Sequence, residues 1–239
     1  MLFLIRLIAV IVFMIAMLFM SIVRFSFQPR HPKHVANLAK CFAAMSRIFG
    51  IKLTVRVPEN INDAGPYVYV GNHQNNFDLI TISGAVQSGT VSVGKKSLIW
   101  VPIFGFIYWL SGNILIDRSN KSKAVGIISA VAERIKKGHL SVWMFPEGTR
   151  SRGRGLLPFK TGAFHTAVQA GVDIVPVCCS TTHEKIKLNR WNNGEVIVEV
   201  LAPISTQGLA REDVRGLAKD VHGVMEQRIA ELTEEAQSV

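Results

Sequence analysis

The sequence predicts an α/β protein with a largely parallel or mixed central sheet flanked by helices, preceded by an N-terminal hydrophobic two-helix membrane-binding motif. Two observations carry this. Seven short apolar runs, beginning near residues 51, 67, 90, 113, 141, 173 and 196, are mostly separated by segments of helical length. Ahead of them, the chain carries no charge from Leu7 to Val23.

The amino-terminal stretch reads as an apolar helix from Leu2 to Val23, interrupted only by Arg6. At 1.5 Å per residue it would rise roughly 33 Å, enough for a bilayer core of about 30 Å, with Arg6 snorkelling to the interface. A cleaved signal peptide is the rival, but FMSIVRFSF offers no small-x-small cleavage site. If the helix spans, Arg24, Arg30, Lys33 and Lys40 outweigh Arg6 and put the rest of the chain in the cytoplasm.

Pro32 to Gly50 reads as a second helix, with Val35, Leu38, Ala39, Phe42, Met45 and Phe49 at three- and four-residue steps and Gly50 as its stop. Its basic face carries Lys33, Lys40 and Arg47, so the apolar stripe either lies in an anionic membrane or packs on the domain core. Residues 1–50 thus form the membrane-anchoring helices and 51–239 the α/β domain.

IKLTVRV alternates strictly, placing Ile51, Leu53, Val55 and Val57 on one face of a half-buried strand. The runs YVYV, TVSV, NILI, SVWMF, DIVPVCC and VIVEV do not alternate. Strands apolar on both faces and interleaved with helices imply a sheet covered on both sides. The tail from Arg211 reads as a closing, mostly polar helix.

The chemistry lies after the strands. YVYV is followed by GNHQNNFD, TVSV by GKK, NILI by DR and SVWMF by PEGTRSRGRG. Ligands of open α/β sheets bind outside the carboxyl ends of the strands, so parallel strands would gather His73, Asp78, Lys95, Arg118, Glu147 and Arg150 on one rim. Residues five apart on a helix sit about 140° around the axis and do not face each other. His73 and Asp78 can therefore meet only if His73 lies in a loop and Asp78 in the first turn of the next helix. Asp78 would then take the Nδ1 proton and leave Nε2 free as a base. Gly148, Gly153 and Gly155 permit close backbone approach, while Arg150, Arg152 and Arg154 match phosphate oxygens and would hold Glu147 ionised. The loop is not a P-loop, because no GK[ST] closes it.

Charge and cysteines narrow the class. Lys and Arg outnumber Asp and Glu by 27 to 17 in 239 residues, giving +10 at neutral pH and predicting anionic partners. No aromatic–basic interleaving supports base stacking, so nucleic acid is not expected. Cys41, Cys178 and Cys179 make no disulfide framework, which points to a reducing compartment. His73, Asp78 and Glu147 fit no helix-borne metal-ligand pair, so no metal is expected.

NHQNNFD, GKKSLIWVPIFG, GNILIDR, MFPEGTRSRGRGLLPFKTGAF and DIVPVCCS resemble, in that order, the sequence blocks of the glycerolipid acyltransferases, over Tyr67 to Ser180. The resemblance implies transfer of a fatty acyl group from a thioester on coenzyme A or acyl carrier protein to a glycerol hydroxyl, with no other cofactor. His73 matches the general base and Asp78 its orienter. Lys95, Arg118 and Arg150 match positions assigned to the acceptor's phosphate. Glu147 and Gly148 match the acceptor-binding turn, and Thr149 beside them joins the substrate-binding set. The compact length and the NHQNN and RSRGRG runs favour lysophosphatidic acid as acceptor, with glycerol-3-phosphate or another lysophospholipid as the alternative. A bacterial cytoplasmic (inner) membrane location is expected, with the active site facing the cytoplasm and membrane lipids as partners. A membrane-tethered anion binder explains the arginines but leaves His73 and Asp78 idle, and a metal-dependent phosphohydrolase would be abolished by a chelator.

Overall fold

The computed structural model describes residues 1–59, 61, 65–117 and 124–238. Each of the seven apolar runs forms a strand: β1 Ile51–Arg56, β2 Val68–Gly71, β3 Thr90–Lys95, β4 Ile114–Ile116, β5 Ser141–Met144, β6 Ile174–Cys179 and β7 Gly194–Val200. They make one mixed sheet in the order β1-β7-β6-β2-β5-β3-β4. From β6 to β4 every neighbouring pair is parallel. Strand β7 is antiparallel to β6, and β1, parallel to β7, shares its reversed direction.

Burial explains the composition of the strands. Every residue of β2 and β6 is buried, which is why these central strands are apolar without alternation. On one face of the sheet the core includes Val131 and Ile135 of α4 (Ala124–Gly138), Phe164 of α5 (Gly162–Ala170) and Val221 and Met225 of α6 (Val214–Glu235). The other face packs Tyr69 and Trp143 against Phe42, Met45 and Phe49.

Phe42 belongs to α2 (Lys33–Ala44), followed by a 3₁₀ turn at Met45–Arg47. Val35, Leu38, Ala39 and Phe42 are all buried, so the stripe of this helix packs inward on the domain. Immersion of that stripe in a membrane is excluded by this packing.

The first helix, α1 (Leu2–Phe27), is laid along the domain. Val10, Phe13, Met14 and Met17 pack on it, whereas Ile8, Phe19 and Val23 on the other side are 61%, 65% and 64% exposed. Arg6 does not snorkel. It is 2% exposed, and donates to the carbonyls of Ile48 at 2.9 Å and Leu188 at 2.8 Å. A buried guanidinium requires such acceptors. The Phe3 N–H also reaches the Asn189 side chain. At the far end, Phe25 lies 4.1 Å from the His34 ring, and the Arg30 N–H donates to Leu110 of α3 (Phe104–Leu110). Both ends of α1 are therefore fixed to the same domain.

Candidate active site

Strand β2 ends at Gly71 and delivers Asn72, His73 and Gln74 to the carboxyl rim. The amides around His73 are brackets. Asn72 exchanges two hydrogen bonds of 2.9 Å with the backbone of Cys179 at the end of β6. Gln74 donates to the Ser180 carbonyl at 2.9 Å and accepts the Thr182 N–H at 2.8 Å. The loop carrying His73 is thus fastened to the neighbouring strand on either side of the imidazole.

Asn75 caps a 3₁₀ helix, Asn76–Ile80, by accepting the Phe77 N–H at 2.8 Å, and Asp78 completes the capping box. This local logic places the carboxylate. Asp78 Oδ2 accepts from His73 Nδ1 at 2.6 Å, Gln74 N at 2.7 Å and Asn75 N at 3.2 Å. Two of those donors are backbone N–H groups, so the oxygen acts as an acceptor and Nδ1 carries the proton. The imidazole stacks on Phe145 at 4.2 Å, and no described residue bonds its Nε2. Asp78 is 5% exposed and the His73 side chain 21%, which leaves the ring buried on one side and open on the other.

Glu147 follows β5. It is 2% exposed; Oε1 accepts the His73 N–H at 2.5 Å and Oε2 the Leu157 N–H at 3.0 Å. The arginines therefore do not hold it, contrary to the expectation from composition. Burial pushes its carboxyl above the ordinary value, and the two backbone donors oppose that rise. Each oxygen accepts a backbone N–H within the fold, so the side chain braces the His73 loop.

The arginine loop is stitched to the same place. Ser151 N donates to the His73 carbonyl at 2.8 Å and Arg152 N to that of Gln74 at 3.0 Å. Gly148 turns at φ 69°, and a Cβ there would meet Lys160 Nζ at 2.7 Å, so the turn favours glycine. Arg154 donates back to the Ser151 and Arg150 carbonyls, whereas Thr149 and Arg150 are exposed. Lys95 ends β3, also exposed. No carboxylate among the described residues forms an ion pair with Lys95 or Arg150. Arg118, the remaining expected phosphate ligand, lies outside the described residues.

The parallel block β2-β5-β3-β4 thus puts His73, Asp78, Lys95, Glu147, Gly148, Thr149 and Arg150 at one end of the sheet. Sequence reasoning missed Phe145, which faces the imidazole, and the bracing by Asn72 and Gln74. The signal for the amides was present in NHQNN. Stacking on Phe145 needed the register of β5 beside β2.

The profile of the family described as Acyltransferase matches residues 52–180, which contain every one of these groups. The chain belongs to the acyltransferase family. It is 52% identical to the 1-acyl-sn-glycerol-3-phosphate acyltransferase of Escherichia coli strain K12, over 98% of this chain and 96% of the relative. A relative of that name from Haemophilus influenzae is 54% identical, over 90% of this chain and 88% of its own. Among solved structures, the 1-acyl-sn-glycerophosphate acyltransferase of Thermotoga maritima superimposes with a TM-score of 0.73 at 26% identity, covering 97% of this chain and 95% of that one. The fold of this acyltransferase is therefore matched from the apolar helix to the closing α6.

Proposed function

We propose that this acyltransferase moves a fatty acyl group from a thioester to the sn-2 hydroxyl of 1-acyl-sn-glycerol-3-phosphate, giving phosphatidic acid for phospholipid synthesis. The observation that carries the reading is identity above half with relatives of that name, over nearly the whole chain. The geometry supplies the chemistry. Asp78 fixes His73 as the tautomer with Nδ1 protonated, which leaves the Nε2 lone pair for the acceptor hydroxyl. As Nε2 takes that proton, the oxygen bonds to the thioester carbonyl carbon. The tetrahedral intermediate then collapses, the C–S bond breaks, and the imidazolium returns the proton to the departing sulfur. General-base assistance of this kind contributes typically 10²–10⁴-fold.

Lys95 and Arg150 are assigned to the acceptor's phosphate, together with Arg118. The exposure of Lys95 and Arg150, which form no ion pair among the described residues, supports this. The donor is acyl-coenzyme A or acyl carrier protein. The thiols of Cys178 and Cys179 take no part, because burial raises both well above the usual range and keeps them unreactive.

The apolar face of α1 sits in one leaflet of the bacterial cytoplasmic membrane, with the rim of the sheet on the cytoplasmic side. A helix of mean hydropathy 2.9 over Leu2–Phe25, tied to its domain at both ends, immerses one face without needing to cross. The test is an acyl-transfer assay of the full chain with one thioester donor and three acceptors: lysophosphatidate, glycerol-3-phosphate and lysophosphatidylcholine. Turnover is expected on lysophosphatidate well above the others. Preference for either other acceptor overturns the assignment.

A further inference from the structure

At the edge of the sheet farthest from β1, a groove of about 570 Å³ runs beside β4. It is lined by Arg30, Lys96, Trp109, Arg134 and Asp117, among apolar neighbours, and so carries three cations against one carboxylate. Strand β4 stands three places from β2, roughly 14 Å at strand spacings of about 4.8 Å, so the groove lies away from His73, with Lys96 and Asp117 at its border with the rim that carries Lys95.

Its cations are held in place. Arg30 sits at φ 60°, a conformation that residues with side chains avoid. Its carbonyl packs on Gly112, where a Cβ would come within 2.6 Å of it, and its guanidinium lies 5.6 Å from the centre of the Trp109 ring. Arg134, half-buried on α4, donates to the Gly112 carbonyl at 3.1 Å. Two guanidiniums therefore converge on one turn. Burial, and then the charge of Arg30, lower the Arg134 pKa, and among the described residues neither arginine has a carboxylate partner. Three cations facing the single carboxylate of Asp117 leave the groove net positive and suited to an anion.

We propose that this groove binds the phosphate-bearing headgroup of an anionic membrane lipid, distinct from the acyl acceptor, and so fixes the protein's orientation on the bilayer. The choice of a lipid rests on the reading that α1 lies in the membrane, since Arg30 follows the end of α1 by three residues. The Trp109 ring, exposed beside Arg30, has the amphipathic character of groups at headgroup depth.

Native mass spectrometry of the full chain in neutral detergent tests this, with phosphatidylglycerol or phosphatidylcholine added as probes. One retained phosphatidylglycerol is expected, preferred by about tenfold over phosphatidylcholine, the order of a fully paired phosphate. Arg30→Gln and Arg134→Gln should each remove that preference, while Lys137→Gln on the solvent side of α4 and Arg150→Gln at the catalytic rim leave it intact. Arg30 is exposed, so its variant folds even if Arg134→Gln does not. Retention unchanged in Arg30→Gln overturns the site. Displacement of the lipid by millimolar inorganic phosphate overturns the lipid and leaves a free anion as the ligand. Loss of binding to neutral vesicles on charging the exposed face of α1 (Ile8→Lys, Phe19→Lys) reports on the membrane reading separately.

Discussion

The buried carboxylate of Glu147 accepts the backbone N–H of His73, the residue whose side chain is held by Asp78. Two carboxylates from different loops therefore fix one histidine, one through its main chain and one through its ring. The turn that resembles an acceptor site thus also braces His73.

Glu147→Gln keeps the shape but can accept at only one atom, leaving either His73 N or Leu157 N without a partner. Turnover should fall on the order of 10- to 100-fold, the effect of a displacement near 1 Å, with the acceptor KM little changed. If KM for the acceptor rises instead and turnover holds, Glu147 touches the substrate.

Arg150 is exposed and forms no ion pair among the described residues, so its fork is available to a phosphate. Arg150→Lys keeps the charge but loses bidentate bonding, and should raise the acceptor KM by about 5- to 10-fold with turnover nearly constant. A rise confined to the thioester donor's KM would move Arg150 to the carrier's phosphates.

Arg6 bonds carbonyls of the loops around Ile48 and Leu188. Arg6→Ala leaves those carbonyls unsatisfied, at a cost of about 1–3 kcal/mol, and should loosen the first turns of α1. Limited proteolysis in detergent would read this as cleavage near the N-terminus. Cleavage and melting temperature identical to the parent would mean that the helix end hangs free of the domain.

Burial pushes the Cys178 thiol up to about 12, and Cys179 higher still. An acid whose folded pKa is raised stabilises the fold fully below its unfolded value, near 8.5, and loses that contribution as pH rises through the folded one. Denaturant midpoints of the parent should therefore fall more steeply between pH 8.5 and 11, as rough bounds, than those of a Cys178→Ala, Cys179→Ala variant. Parallel curves would show that the thiols ionise equally in both states.

Much of this was legible in the residues. The central strands β2 and β6 announced themselves because burial on both faces demands unbroken apolar runs, β1 by its alternation, and His-x4-Asp was placed by the impossibility of a helical pair. What escaped depends on neighbours distant in sequence. Arg6 looked like a snorkelling cation because its acceptors lie 42 and 182 residues away, and the stripe of α2 fitted lipid and core equally until Phe42 met Phe13 and Phe104. Glu147 looked arginine-bound because its true partners are backbone N–H groups, which no side-chain pattern reveals.

The central claim is that His73 Nε2 removes the proton of the acceptor hydroxyl. The most direct test is steady-state turnover of His73→Ala with lysophosphatidate and an acyl thioester, beside a binding measurement for the acceptor. Turnover should fall by at least 10²-fold while acceptor affinity stays within about twofold, because proton removal is a transition-state effect. Turnover near that of the parent would contradict the account.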